Sequence, residues 1–211
     1  MDSLTPENRE VIENAGFGSL LLFDKCYIPN QFVKWVAKLV NYKSADIVVD
    51  GKVISLAKEY VHLVLGLPFG VKPFPVDSSI GKAVVLSMFE KQSISSVNFF
   101  AKKLEKHETK SDEELIICFL LVAMNSFLRS NSSTSPSYRY FGIFEDMKIL
   151  KEYDWCGYIL HWLLESVKSF NRGKSLHSTS GGTLGGCFVL PCYKCLFSFE
   201  LLNSFFLFTS L

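Results

Sequence analysis

The residues best suited to bind a metal lie near the carboxyl end of the sequence. Cys187, Cys192 and Cys195 form a Cys-x4-Cys-x2-Cys pattern, and His177 lies upstream of them. A Cys-x2-Cys turn can direct two thiolates at one zinc ion, but a structural zinc site needs four ligands. His177 is the one available fourth ligand, and glycines separate it from the cysteines. The pattern therefore favours incidental cysteines, and we predict no metal site.

Two other cysteines could act as nucleophiles. A cysteine protease needs a thiol, a histidine base and an orienting acid within reach of one another. Cys118 lies in an apolar run and is expected to be buried, where a thiol behaves as a small hydrophobic group. Cys156 and His161 are spaced so that one helix would not place them on the same face. Asp154 is better placed as a helix cap, so we predict no catalytic residue and no enzyme activity.

Cofactor chemistry has equally little support. Gly173-Lys174-Ser175 matches the end of a phosphate-binding loop, but position 168, which should be glycine, is Lys168. Pyridoxal phosphate chemistry would require a large α/β fold, and alternating strands and helices are not predicted here. We therefore predict that the chain binds no cofactor.

A β-hairpin is the clearest local structure in the sequence. Asp50 and Gly51 separate two β-branched arms, Ile47-Val48-Val49 and Lys52-Val53-Ile54. Asp-Gly favours the tight two-residue turn of a hairpin because both residues tolerate a positive φ. We predict two antiparallel strands at this point.

A short helix is predicted to follow the hairpin directly. Ser55 occupies the position of an N-cap, and Gly66 and Pro68 are typical of a helix end. Between them, apolar residues at helical spacing predict one buried face, made of Leu56, Tyr60, Leu63 and Val64.

The hairpin, its helix and the closing residues resemble a known family. The residues that carry the resemblance are Asp50, Gly51, Ser55 and the run Val64-Leu65-Gly66-Leu67-Pro68, with weaker agreement at Asp154-Trp155. Together they are similar to the aminotransferase-like plant mobile domain, found in plant transposable elements and in genes domesticated from them. Despite its name, that domain has no established aminotransferase chemistry. The resemblance covers the chain to about Gly186.

Three functions follow from these observations. The resemblance implies a non-catalytic module of a plant mobile element, located in the nucleus and acting through contacts with an unknown protein partner. Many such proteins carry a ubiquitin-like-protein-specific cysteine protease domain further along. An alternative is therefore the accessory region of such a polyprotein, truncated before its catalytic domain. A further alternative is a tail-anchored membrane protein.

Composition restricts the choice of partner and location. The 211 residues carry a net charge of +1, and 48% are hydrophobic. A nearly neutral chain has no overall basic surface for nucleic acid, so direct electrostatic binding of nucleic acid is not expected. The polar amino terminus indicates no signal peptide, which predicts a nuclear or cytoplasmic protein.

The remaining pattern predicts a mainly α fold, a compact helical domain with one small β-hairpin. Capped or periodic segments predict helices from Pro6, from Asn30 to Tyr42, from Ser79 to Lys91, from Ser96 to His107, from Leu115 to Phe127 and from Trp155 to Phe170. Thr5 and Ser111 are predicted as N-caps of the first and fifth of these helices. The last two helices should form the centre of the domain. The run Leu115–Phe127 is apolar on nearly every side and should form the central helix. We assign residues 1–170 to this domain and 171–186 to a flexible Gly/Ser-rich linker.

The last segment, residues 187–211, differs in character from everything before it. It contains six phenylalanines and two charged residues, Lys194 and Glu200. We expect a disordered or poorly packed tail that derives from a translated intron or a truncated gene model. The alternative of a membrane anchor is weakened by Pro191 and Glu200, which interrupt the apolar run.

Overall fold

Helices make up most of the chain, as predicted, and one small antiparallel sheet accompanies them. The structure is a computed structural model that describes residues 4–22, 29–49, 51–129, 134–174 and 191. Seven α-helices are present in these ranges: α1 (Pro6–Asn14), α2 (Asn30–Leu39), α3 (Lys58–Leu65), α4 (Ser79–Met88), α5 (Val97–Glu105), α6 (Asp112–Ala123) and α7 (Trp155–Lys174). A π-helical turn, Met124–Leu128, extends α6, and 3-10 helices occupy Gly18–Leu22, Tyr138–Glu145 and Met147–Glu152.

Two helix caps predicted from the sequence are confirmed. The Thr5 hydroxyl accepts a hydrogen bond from the Asn8 N–H at 3.2 Å, and Ser111 accepts one from the Glu114 N–H at 3.2 Å. Each bond satisfies a backbone donor that the first turn of a helix leaves without an intrahelical partner. The buried Glu114 carboxylate accepts in turn from the Lys110 N–H at 2.8 Å and from Lys103 Nζ at 2.7 Å.

The sheet has one strand more than predicted. The arms of the hairpin are β2 (Asp46–Val49) and β3 (Lys52–Ser55), and a short β1 (Val40–Asn41) pairs with β2. The prediction that α2 continues to Tyr42 is therefore wrong. Val40 leaves the helix because it pairs with Ile47, which buries both β-branched side chains.

Gly51 adopts the positive φ that the predicted turn requires. Its φ is +74°, and the space where a β-carbon would stand is open. Asp50, the other turn residue, lies outside the described residues. The two arms pair in the predicted register, with Val49 opposite Lys52.

Two details of the helix after the hairpin differ from prediction. Ser55 is not the N-cap: it ends β3, and its hydroxyl donates to Asp46 Oδ1 across the sheet at 2.6 Å. Ala57 occupies the cap position without a side-chain hydrogen bond. The buried face of α3 consists of Val61 and Leu65, whereas Leu63, which we had placed on it, is 80% exposed.

The core is built around α6 and α7, as predicted. Helix α6 is buried over most of its length, and the π-helical turn continues the enclosed stretch. Helix α7 buries one face, which carries Trp155, Ile159, Leu163, Val167 and Phe170. Side chains that share this core with no solvent exposure include Ile117, Leu120, Leu121, Met124, Phe141, Phe144, Trp155, Ile159, Leu163 and Val167. The central position of Leu115–Phe127 thus follows from its apolar character on all sides.

The carboxyl-terminal boundary lies beyond the predicted position. Helix α7 continues to Lys174, so the prediction of a flexible linker is wrong for residues 171–174. Residues 175–186 and the tail, 187–211, lie outside the described part of the chain, except for the buried Pro191. Within the described residues, no helix combines the length and the apolarity needed to cross a bilayer.

Gly66 should be difficult to replace, for two separable reasons. It ends α3 with φ +59°, and a β-carbon there would overlap the side chain of Ser19. Left-handed backbone costs other residues about 1–2 kcal/mol, and overpacking adds roughly 1–3 kcal/mol. We expect Gly66→Ala to lower the free energy of unfolding by the sum of both effects, and Gly51→Ala by the first alone, as measured by urea denaturation.

The double variant Gly66→Ala/Ser19→Gly separates the two effects. Because it removes the overlapping side chain, it should recover the overpacking part and keep the backbone part. Equal losses for Gly66→Ala and Gly51→Ala would show that Ser19 does not restrict this turn.

Candidate functional site

Some of the residues that carry the family resemblance, those around Leu67-Pro68 and Asp154-Trp155, meet at one corner of the fold. The chain leaves α3 at Gly66 and runs as Leu67-Pro68 against the start of α7. Leu67 is fully buried, and its carbonyl accepts a hydrogen bond from His62 Nδ1 at 2.7 Å. Since a carbonyl can only accept, His62 carries its proton on Nδ1 there. The corner is thus fixed from both the preceding helix and α7.

Asp154 joins the same corner from the other side. Its Oδ1 accepts from the Gly157 N–H at 2.8 Å, which confirms it as the cap of α7, and Oδ2 forms an ion pair with Lys58. The backbone N–H of Asp154 donates to the Lys72 carbonyl at 2.7 Å, and Lys72 N–H donates to the Glu152 carbonyl at 2.9 Å. The carboxylate is therefore occupied by structural partners.

Trp155 supports this corner from within the core. Its indole Nε1 donates to the Leu150 carbonyl at 2.7 Å, and its ring packs edge-to-face against Phe17 and Phe74 at centroid distances of 4.7 and 5.0 Å. Leu65, Leu67, Pro68 and Trp155 are thus brought together, whereas Gly51 and Ser55 lie on the hairpin. The contacts of these residues hold the fold together.

The two described cysteines are enclosed thiols. Cys118 lies inside α6, and Cys156 contacts the carbonyls of Leu67 and Pro68 at 3.8 and 3.6 Å. Burial raises the pKa of Cys118 to about 12, with a smaller contribution from Glu114. Burial, with a contribution from Asp154, likewise raises the pKa of Cys156 to about 12. Both side chains are protonated at neutral pH, so neither is an activated nucleophile.

Metal ligands do not converge in the part of the chain that the structure describes. No group of three or more His, Cys, Asp or Glu side chains there is placed to hold an ion. The zinc candidates considered from the sequence, His177, Cys187, Cys192 and Cys195, all lie outside the described residues.

A cleft of about 420 Å³ lies between α1, the start of α6 and the 3-10 helix Met147–Glu152. Its apolar wall includes Val11, Ile116 and Leu150, and two lysines, Lys148 and Lys151, line it. The size suits a small ligand. Asp112 is the one carboxylate in its lining, so the cleft lacks the paired groups of general acid–base chemistry.

Exposed apolar side chains concentrate in the stretch from α3 to the start of α4. Five of the nine large hydrophobic residues exposed in the described ranges fall in residues 63–80, and we refer to them as the apolar connector: Leu63, Phe69, Val71, Val76 and Ile80. Val71 is 92% exposed. Single exposed apolar residues are common, but a concentration of them is typical of an interaction surface.

Arg129 is a feature that sequence reasoning missed. It follows the π-helical turn, is only 3% exposed, and its guanidinium carbon lies 3.6 Å from the ring centre of Trp162. Neither its Nε nor its Nη1 has a hydrogen-bond partner, and the same holds for the enclosed indole Nε1 of Trp162. Burial lowers the pKa of this guanidinium. The sequence did contain one indication of a buried charge here, because Arg129 directly follows a long apolar run.

Comparison with protein families places most of the chain in one of them. Residues 1–191 match a family described as a domain of unknown function, DUF8566. No curated protein and no solved structure matches the chain.

Cys118 and Cys156 should resist alkylation in the folded protein. With a pKa near 12 rather than 9, the thiolate fraction at pH 8 falls roughly a thousandfold, and burial slows access further. We expect iodoacetamide labelling of both residues, followed by peptide mass spectrometry, to be at least that much slower in buffer than in urea. Fast labelling of either thiol in the native chain would instead identify it as a reactive cysteine.

Proposed function

This chain belongs to the DUF8566 family, and from that premise we propose that it is a non-catalytic module of a plant mobile element or of a gene derived from one. The module acts in the nucleus through contacts with another protein. The observation that carries the proposal is the apolar connector, since it holds five of the nine large hydrophobic residues that are exposed in the described ranges. The resemblance of the hairpin and of the Leu65–Pro68 turn to the plant mobile domain supports the origin.

The chemistry of the described residues supports a binding role over a catalytic one. Both described thiols are protonated, and the carboxylate of Asp154 is engaged as a cap and in an ion pair. The buried carboxylate of Glu114 is occupied by Lys103 and by a backbone donor. A binding module needs none of these groups to react.

The apolar connector is held in a defined conformation, which favours its use as a binding surface. Phe69 packs against the His62 ring at a centroid distance of 5.7 Å and bridges to Asp154 through the backbone. Backbone hydrogen bonds link Lys72 with Glu152 and Asp154. A surface ordered before binding loses little conformational entropy when a partner covers it.

Replacing two residues of the apolar connector should abolish the interaction without unfolding the domain. The variant Leu63→Ser/Val71→Ser changes side chains that are 80% and 92% exposed, so the free energy of unfolding should change by no more than about 1 kcal/mol. Leu22→Ser is the matched control, because Leu22 is 82% exposed on a different element. The full chain and both variants would be recovered by immunoprecipitation from plant nuclei, with quantitative mass spectrometry.

A specific partner would be retained by the wild type and by Leu22→Ser and lost from the double variant. That partner, once purified, should bind the double variant at least about tenfold more weakly than the wild type in a titration. Equal retention of every protein by all three chains would contradict the proposed surface. A purified chain that turned over a substrate with a defined kcat would contradict the non-catalytic role.

A further inference from the structure

We propose that Arg129 and Trp162 form a binding site for a carboxylate group that neither the family nor the proposed function assigns. The geometry is a buried guanidinium stacked on an indole, with three enclosed donor atoms that have no acceptor: Nε and Nη1 of Arg129 and Nε1 of Trp162. Polar groups enclosed in proteins are almost always paired, so three unpaired donors at one place indicate an absent acceptor.

No described residue balances the charge of the site. Of the described residues, none that carries a carboxylate pairs with Arg129, and its electrostatic neighbours are Tyr158, Tyr140 and Arg139. A buried cation without an anion is strongly unfavourable, and contact with the Trp162 ring compensates only part of that cost. An anionic ligand would satisfy the charge and the donors together.

Neighbouring groups do not supply the missing acceptor. The hydroxyl of Tyr140 is already bonded to Asn125 Nδ2 at 2.6 Å, and the same Nδ2 donates to the Leu121 carbonyl at 2.7 Å. Tyr140 therefore contacts Arg129 through its ring, whose centre lies 5.9 Å from the guanidinium carbon. Nε and Nη1 of Arg129 thus remain without an acceptor.

The surroundings favour a carboxylate over a phosphate. A single enclosed cation matches the single charge of a carboxylate, whereas a phosphate dianion would need further cations, and the nearby Arg139 is exposed. A carboxylate is also flat, and its two oxygens match the spacing of guanidinium N–H groups. Trp162 is the partly exposed member of the group, so the ligand would approach along its edge.

Sodium acetate is the simplest probe of the full chain. Trp162 lies against Arg129, so its fluorescence should change saturably as acetate replaces chloride at constant ionic strength. Arg129→Met, which retains much of the volume without the charge, should weaken acetate binding at least about tenfold. Arg139→Met is the matched control: it removes the same charge from an exposed neighbour and should leave the affinity within about twofold.

A second variant keeps the test decisive if Arg129→Met does not fold. Trp162→Phe keeps an aromatic face over the guanidinium but removes the Nε1 donor, and calorimetric titration should show weaker acetate binding. Three results would overturn the proposal: no saturable response of the wild type to acetate, equal affinity in Arg129→Met or Trp162→Phe, or an equal loss in Arg139→Met. Tighter binding of inorganic phosphate than of acetate would also overturn it, since the site would then select another oxyanion.

Discussion

The contact between the Leu67-Pro68 turn and the start of α7 is the constraint on which the rest of the structure depends. The Cys156 thiol donates to the carbonyls of Leu67 and Pro68. The Leu67 carbonyl also accepts a hydrogen bond from His62, on the preceding helix. The contact joins segments far apart in sequence, so it closes a long loop and requires compensation for the lost chain entropy. That compensation comes from the burial of Leu65, Leu67 and Trp155 in one core.

The same contact explains why the connector after it can be both ordered and exposed. Asp154, held by Gly157 and Lys58, aligns the backbone around Lys72 through its own N–H. The main chain of the connector is thereby held at Lys72, while the neighbouring apolar side chains of Phe69 and Val71 are exposed. A segment stabilised through its backbone does not need to bury its side chains to remain in place.

Features set by residues within one helical turn could be predicted from the sequence, and contacts between segments distant in sequence could not. Thr5, Ser111 and Asp154 cap helices as predicted because a cap depends on residues within one turn. Ser55 failed as a cap because Asp46, across the sheet, offers its hydroxyl a better partner, and Val40 left α2 to pair with Ile47. Arg129 escaped prediction for the same reason: its stacking on Trp162 depends on how α7 packs against the end of the π-helical turn, which no local pattern encodes.

The buried arginine and the exposed apolar connector are opposite exceptions to the usual distribution of side chains: one is a buried charge, and the other is exposed apolar surface. Elsewhere the described chain follows the usual rule: the Glu114 charge is paired, and large apolar side chains such as Trp155 are enclosed. Each departure costs stability in the isolated chain, and a ligand or partner that corrects it would be bound with that energy. Arg129 follows the π-helical turn and Trp162 lies on α7, whereas the apolar connector runs from α3 to the start of α4. Since the two features share no residue, a carboxylate ligand and a protein partner could be bound independently.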